Sequence, residues 1–360
     1  MNDCLTYADA ARLHELQDWT VLDAQWFTAG SSRLWKLGEG QFRSSPLPDP
    51  TLSMLYRYFL EYPDECFVPK MSKPMDVYLK IHQIYGDEFS ARKFGVLAGC
   101  NPFTGYAWTQ KGATVSETVL RVISLIDRAV TFRGQTGLDD VIRIVLAEAT
   151  SRSIPEDRLW SSGWGNDDDG NNDNSAAGIT ARVDSGIMDV ARRVCGLSVI
   201  DTLWTGGTIN RNERTTYGNG RDSLVKNPTV AILWRYLAEY PQDHLLPPMP
   251  VPNDIAQALE SVMAKNLRGG KYCKRRVSQL LGCTGMGGYN WLAGSEGMSG
   301  IVKRLGLALV NAIVVDGRGG FDRYLDVVER EARSRGINGL DDLFRNEWKT
   351  WNRRRSNVDP

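Results

Sequence analysis

A short stretch that occurs twice is the feature that most constrains the fold of this chain. The first copy, residues 50–63, reads PTLSMLYRYFLEYP, and the second, residues 228–241, reads PTVAILWRYLAEYP. The same offset of 178 residues relates residues 21–26 to residues 199–204 without a gap. A fixed period of this size in 360 residues predicts two homologous halves, so we expect the function to be carried out in duplicate.

Helical spacing of apolar residues dominates both copies and the segments around them. In the first copy Leu52, Leu55 and Phe59 fall on one face, and a proline stands at each end of the stretch. The sequence therefore predicts an all-α fold with two homologous halves, each holding two helix–turn–helix-like units. The predicted halves are residues 1–160, with units at about 8–63 and 75–132, and residues 179–360, with units at about 186–241 and 253–312.

Residues 161–178 are rich in Gly, Asn and Asp and predict a flexible linker between the halves. A calcium loop does not fit, because Gly165 and Ala176 would occupy the two end positions that need oxygen ligands. After residue 312 we expect an inserted helix at 321–332, because residues 338–342 repeat the motif that begins at Thr136, where we expect a helix-capping box.

Composition excludes several classes of protein. No apolar run approaches the roughly 20 residues that span a bilayer, and the start of the chain has no signal pattern, so we expect a cytoplasmic protein without a membrane partner. Six cysteines without a C-x-x-C pair and three scattered histidines predict free thiols, no metal site and no cofactor. No nucleophile and base can be paired, which predicts a protein that is not an enzyme.

Net charge is zero, but its distribution is uneven. Residues 265–304 hold eight Lys or Arg and one acid, Glu296. Residues 348–355 form a basic tail with interleaved aromatics. Basic clusters of this kind are typical of phosphate-binding surfaces, although a solvated face is the alternative.

Two segments, 90–111 and 273–294, carry a helix–turn–helix pattern. The first reads SARKFGVLAGCNPFTGYAWTQK and the second CKRRVSQLLGCTGMGGYNWLAG. Gly99 and Gly282 suit the positive backbone angle of the turn, and Asn101 or Thr284 can cap the helix that follows. The pattern resembles the helix–turn–helix of Cro and lambda-repressor type regulators.

In that family the capped helix enters the major groove and the preceding helix crosses the DNA backbone. By position, the resemblance implies groove-facing roles for Asn101, Thr104, Tyr106, Thr284, Tyr289 and Asn290. It implies phosphate contacts for Arg92, Lys93, Lys274, Arg275 and Arg276, and Lys111 and Lys271 complete the predicted DNA-binding set. Because glycines weaken the second capped helix, we expect the first pair to specify the sequence and the second to anchor the protein.

Residues 191–204 resemble the pattern more weakly, and residues 11–26 match only through their correspondence to 191–204. Tryptophans recur at one place in all four segments, on the face that the pattern buries, and we predict that they are structural. They are Trp26, Trp108, Trp204 and Trp291.

These features predict a sequence-specific DNA-binding transcriptional regulator, resembling regulators of plasmids, phages and integrative elements. Its partner would be double-stranded DNA, and a homo-oligomer or a contact with RNA polymerase stays open. The alternatives are a replication or recombination accessory protein and a protein-interaction scaffold with degenerate helix–turn–helix units. A basic surface at residues 92, 93 and 268–276 favours DNA, whereas apolar or acidic capped helices favour a scaffold.

Overall fold

A computed structural model describes residues 4–30, 43–165, 182–207, 224–264 and 268–348. These residues form an all-α fold, as predicted, with two isolated β-bridges as the extended pairings within the described ranges. The first eight helices are α1 (Tyr7–Leu16), α2 (Val21–Phe27), α3 (Pro50–Glu61), α4 (Pro74–Tyr85), α5 (Ala91–Leu97), α6 (Pro102–Lys111), α7 (Glu117–Ser151) and α8 (Glu156–Ser162). The remaining eight are α9 (Ser185–Val194), α10 (Val199–Gly206), α11 (Pro228–Glu239), α12 (Pro252–Val262), α13 (Lys274–Leu280), α14 (Gly285–Leu292), α15 (Gly300–Ser334) and α16 (Leu340–Asn346). Within the described ranges, no helix is long and apolar enough to span a bilayer.

The helices group into two compact units that cross the sequential division of the chain. Residues 1–68 and 247–360 belong to one, the terminal unit, and residues 69–246 form the other, the central unit. In the terminal unit the first copy of the repeated helix, α3, packs against the long helix α15. In the central unit the second copy, α11, packs against the long helix α7. Each copy is thus buried on the long helix that follows the other copy in sequence.

A buried carboxylate joins α3 to α15 in the terminal unit. Glu331 accepts hydrogen bonds from the guanidinium of Arg57 at 3.1 Å and from that of Arg335 at 2.7 Å. All three side chains are almost fully buried. Arg335 also donates to Ser53 Oγ and to the carbonyl of Leu47, so its remaining donors are satisfied. Removing one member of this group would leave a buried charge without its partner, which is strongly destabilising.

The central unit has the same arrangement at corresponding positions. Glu148 accepts from Arg235 at 2.8 Å and from Arg152 at 2.8 Å. Arg152 then donates to the carbonyls of Val225 and Lys226, ahead of α11. In both units, therefore, an arginine of the repeated helix and an arginine at the end of the long helix share one buried glutamate.

Both long helices are interrupted by a glycine with positive φ. The interruption lies at Gly134 in α7 (φ 58°) and at Gly317 in α15 (φ 51°). The capping box predicted at Thr136 is wrong, because Thr136 is helical and lies two residues after the interruption. The predicted insertion at 321–332 is also wrong, because these residues continue α15 beyond Gly317 as residues 138–149 continue α7 beyond Gly134.

Part of the predicted linker is packed. Trp164 is buried, and its indole N–H donates to the carbonyl of Val96 at 2.9 Å. Gly163 (φ 84°) packs against the ring of Pro102, the first residue of α6. Residues 161–165 therefore belong to the central unit, which corrects the prediction there, and residues 166–178 lie outside the described residues. Most of the basic tail also lies outside them, but Trp348 is buried and donates to the carbonyl of Gln279 at 2.6 Å.

Candidate nucleic-acid interface

Helices α5 and α6 cross at two glycines in the central unit. A Cβ on Gly105 would lie 2.0 Å from the carbonyl oxygen of Ala91, and a Cβ on Gly95 would lie 2.7 Å from the Gly105 nitrogen. No side chain fits between backbones this close. Gly99 adopts φ +81° in the turn, as predicted.

Helices α13 and α14 cross in the same way in the terminal unit. A Cβ on Gly288 would lie 1.9 Å from the carbonyl oxygen of Lys274, and Gly282 adopts φ +79° in the turn. The glycines that lower helix propensity in α14 thus include one that the crossing requires. The helix forms over the predicted residues despite that lower propensity, because tertiary packing outweighs it.

The turn of each pair is fixed to the start of a repeated helix. Thr229 Oγ1 donates to the carbonyl of Gly99 at 3.2 Å, and Thr51 Oγ1 donates to the carbonyl of Leu281 at 2.8 Å. A Cβ on Gly282 would lie 2.6 Å from the Thr51 nitrogen, so this contact also requires glycine in the turn. Sequence reasoning missed both threonines, and the available signal was that the Pro-Thr pair recurs at the start of both copies.

The predicted structural tryptophans are buried, which confirms their role in the core. Trp108 and Trp291 pack α6 and α14 into the cores of their units. The rings of Trp108 and Phe94 form a T-shaped contact, with 6.2 Å between their centres. Trp26 and Trp204 are almost completely enclosed. The guanidinium groups that cover them come from Arg304, 4.7 Å from the Trp26 ring, and Arg121, 4.5 Å from the Trp204 ring.

The two predicted capping residues differ. Asn101 Oδ1 accepts a hydrogen bond from the Phe103 backbone N–H at 3.0 Å, so its side chain caps α6. Thr284 precedes α14 but makes no side-chain capping bond. The Asn101 side chain is therefore committed to its own helix, and a groove contact would have to compete with the cap.

The outer faces of α6 and α14 present matching side chains. In α6, Phe103 is 69% exposed and Tyr106 is 49% exposed. At the corresponding places in α14, Met286 is 63% exposed and Tyr289 is 47% exposed. Sequence reasoning selected the tyrosines but missed Phe103 and Met286. The available signal was that both residues stand two positions after the capping residue. Two further predicted groove residues, Thr104 and Asn290, are half-buried, and Asn290 Nδ2 donates to Glu296 at 3.1 Å.

Three cations belong to the α5/α6 pair. The Arg92 guanidinium lies 5.1 Å from the centre of the Phe103 ring and donates to the carbonyl of Ser161 at 3.2 Å. Lys93 Nζ donates to the carbonyl of Glu88 at 2.8 Å. Lys111 is exposed at the last position of α6. Of the three, Arg92 and Lys111 are exposed and Lys93 is half-buried.

The cations of the α13/α14 pair are more strongly tied to the protein. Arg275 donates to the carbonyl of Arg345 at 3.3 Å and lies 3.4 Å from a Glu347 carboxylate oxygen. Arg276 donates to the carbonyl of Lys271 and lies over the ring of Phe344 at 4.9 Å. Lys271 and Lys274 are exposed. The two lysines are thus the exposed cations of this pair, whereas the two arginines are bonded within the terminal unit.

Charge separates the four helix–turn–helix-like pairs into two kinds. Residues 91–111 (α5/α6) and 274–292 (α13/α14) each contain three cations and no acid. Residues 7–27 (α1/α2) contain four acids and one arginine, and residues 185–206 (α9/α10) contain two acids and two arginines. Only the first kind has a net positive charge within its own residues, although in the α13/α14 pair Glu347 lies beside Arg275 and Glu296 accepts from Asn290.

Burial separates the same pairs. In α10 every residue from Asp201 to Gly206 is buried, and in α2 the buried residues are Leu22, Ala24, Trp26 and Phe27. The corresponding helices α6 and α14 each bury only the narrow face that carries the crossing glycine and the tryptophan. The second helix of α1/α2 and of α9/α10 is therefore a core element.

Other chemistry is not indicated at these pairs. The thiols of Cys100 and Cys283 follow the two turn glycines, and burial raises the pKa of Cys100 and raises that of Cys283 to about 11. Both thiols are therefore protonated at neutral pH and unsuited to nucleophilic attack. Across the described ranges, no three His, Cys, Asp or Glu side chains lie together in a way that could hold a metal ion.

Comparison with known proteins gives no relative for the chain. No protein-family model, curated protein or solved structure matches it.

Proposed function

We propose that this protein is a sequence-specific DNA-binding regulator that contacts double-stranded DNA through the α5/α6 and α13/α14 pairs. The observation that carries the proposal is that, of the four pairs, these two alone combine three cations, no acid and an outward-facing second helix. DNA carries one negative charge per ~1.7 Å of its axis, so segments with three cations and no acid of their own are favoured by electrostatics.

The geometry of each pair suits the docking mode of a helix–turn–helix. A recognition helix enters the major groove with its N-terminal residues at base edges, and the preceding helix meets the backbone. In α6 the outward residues Phe103, Tyr106 and Lys111 would then face the groove and its rim. Arg92 and Lys93 on α5 would lie beside phosphates, as Lys274 would on α13.

The α1/α2 and α9/α10 pairs are proposed to build the core of their own units rather than to touch DNA. Their second helices are buried, and their acids would repel a phosphate backbone. This assigns DNA contact to two of the four pairs.

We also propose that the chain consists of two homologous halves, residues 1–160 and 179–360. Support comes from equivalent contacts at equivalent positions. Each unit has a glutamate shared by two arginines, a threonine that donates to the turn, and a glycine at the helix crossing. A mobile-element regulator in the cytoplasm, as the resemblance implies, stays part of the proposal.

A second candidate is a protein-interaction scaffold. Phe103 and Met286 are large, apolar and more than half exposed, which is typical of contact surfaces between proteins. Arg92 and Arg275 also donate hydrogen bonds to carbonyls within the protein.

Salt-dependent binding distinguishes the two functions. Fluorescence anisotropy would measure the binding constant of the whole chain for a labelled duplex of random sequence, about 30 base pairs long. The measurement would be repeated at several salt concentrations from about 50 to about 300 mM, which gives the slope of log binding constant against log salt concentration. Lys111→Gln and Lys274→Gln should each flatten the slope by about 0.9, because each removes one phosphate contact. Arg193→Gln is the matched control, since Arg193 is well exposed on α9 but belongs to a pair that carries acids.

If the control flattens the slope as much as the two lysine variants, the assignment to particular pairs is wrong. If the wild-type protein binds no duplex even at 50 mM salt, a scaffold replaces the regulator.

A further inference from the structure

We propose that Phe103 recognises the 5-methyl group of a thymine in the major groove, and that Met286 makes the equivalent contact in the second pair. The inference rests on the proposed DNA-binding function and specifies which base chemistry the two pairs read.

Exposure alone does not single out Phe103, because Phe132 in the same unit is 68% exposed. Position distinguishes them. Phe103 is the second residue of α6, directly behind the cap at Asn101, where a helix–turn–helix places its base-contacting side chains. Phe132 lies two residues before the interruption of α7 at Gly134, in a helix that is not part of a helix–turn–helix pair.

The first helix of the pair holds the Phe103 ring in place. The Arg92 guanidinium lies 5.1 Å from the ring centre and is itself tied to the carbonyl of Ser161 at 3.2 Å. A ring that is already held on one face loses less conformational freedom when a ligand covers its other face than a freely rotating ring does. The same guanidinium lies beside the ring. A cation at this place favours a negatively charged partner as the surface that covers Phe103.

Met286 repeats the arrangement in the terminal unit. It is the second residue of α14 after Thr284 and is 63% exposed. Three residues further on, both helices carry a half-exposed tyrosine, Tyr106 in α6 and Tyr289 in α14. Each pair thus offers one apolar group and one hydroxyl at the same two places. The α5/α6 segment contains no acid, whereas Glu347 accepts from the Gly285 backbone N–H at the start of α14.

The chemistry of the major groove determines what an apolar group can read there. Guanine, cytosine and adenine present hydrogen-bond donors and acceptors, whereas thymine adds a methyl group. A phenyl ring or a thioether side chain satisfies none of the polar groups, but it removes the methyl from water. Thymine is therefore the base that complements Phe103 and Met286.

The test uses duplexes in which thymine is replaced by deoxyuridine, which lacks only the methyl. A pool with 20 randomised base pairs, about twice the span of one helical turn, is selected on the full-length protein and yields the binding sequence. That sequence is then synthesised with thymine or with deoxyuridine at each position. We expect at least one substitution to weaken binding about fourfold, the factor that corresponds to burial of one methyl group.

Phe103→Ala should weaken binding to the thymine duplex and abolish the difference between thymine and deoxyuridine at that position. Phe132→Ala is the matched control and should preserve both. Since each phenyl ring is about two-thirds exposed, neither change should alter the melting temperature.

Two results overturn the proposal in different ways. Selection of a sequence whose binding is insensitive to deoxyuridine at every position refutes thymine recognition and leaves the DNA-binding function standing. Failure to enrich any sequence refutes both, and assigns the exposed Phe103 and Met286 to a protein partner instead.

Discussion

The α5/α6 pair and the α13/α14 pair have the same construction but different surfaces. Both cross at a glycine, both turn at a glycine with positive φ, and both turns accept a threonine hydroxyl from a repeated helix. The arginine of α5 supports an exposed ring, whereas Arg275 and Arg276 of α13 are bound to the carbonyls of Arg345 and Lys271. The internal framework is therefore the same in the two units, while the partners of the arginines differ.

The difference gives the two pairs separate roles in our proposal. α6 has a capped N-terminus and a supported aromatic ring, which suit base recognition. In α14 the first backbone N–H donates to Glu347 and Thr284 makes no capping bond. The exposed Lys271 and Lys274 lie just before and at the start of α13, where they suit phosphate contacts that anchor the pair in addition to the contact of Met286. The following predictions test first what the pairs share and then where they differ.

Removing the tryptophan that seals either pair should produce the largest effect. Trp108→Ala and Trp291→Ala should each lower the free energy of unfolding by about 3 to 5 kcal/mol, because both side chains are buried. Chemical denaturation followed by circular dichroism measures the loss. An unchanged stability combined with lost DNA binding would mean that the tryptophans face the ligand instead.

Acid should destabilise the terminal unit through His14. Burial lowers the pKa of His14 to about 4, and its Nε2 lies 2.8 Å from the Tyr56 hydroxyl. Below pH ~6.5 the unfolded chain binds a proton that the folded unit refuses, so stability falls as pH drops from about 6.5 to about 4. The full loss is about 3 kcal/mol.

The corresponding position in the central unit holds an arginine instead of a histidine, Arg192, which donates to Asp189 at 2.7 Å. His14→Gln should therefore remove part of the acid sensitivity of the whole protein, measured as the difference between denaturation midpoints at pH 7 and pH 4.5. His244 also has a pKa lowered by burial, so some sensitivity of the same sign should persist in the central unit. An identical pH dependence in the wild type and the variant would contradict the prediction.

The capping difference should give the smallest effect. Asn101→Ala should cost about 1 kcal/mol of stability, because the side chain satisfies an N–H of α6. Thr284→Ala should cost less than about 0.5 kcal/mol, since no capping bond is lost. Equal losses in the two variants would show that the caps are equivalent in solution.

Much of the fold followed from local sequence patterns. The starts of α6 and α14 were predicted from turn glycines and capping residues, which act within a few residues. The pairing of α3 with α15 could not be predicted in this way. Both copies of the repeated helix carry nearly the same apolar face, so that face does not determine which long helix covers it.

The candidate site was only partly predictable for a similar reason. Position in the pattern identified Tyr106, Tyr289 and Lys111, whose exposure depends on helix periodicity. It did not identify the partners of Arg275 and Arg276, because Arg345, Glu347 and Phe344 lie far along the chain. Nor did it reveal that Phe103 is exposed, since an apolar residue next to a buried proline is ordinarily expected in the core.

Hydrogen exchange with and without DNA tests most directly the claim that two of the four pairs contact the ligand. The full-length protein would be compared alone and with the selected duplex, and peptide-level protection would be mapped along the chain. Our account predicts slower exchange in residues 91–111 and 274–292, with no change in residues 7–27 and 185–206. Equal protection of all four pairs, or protection confined to 7–27 and 185–206, would contradict it.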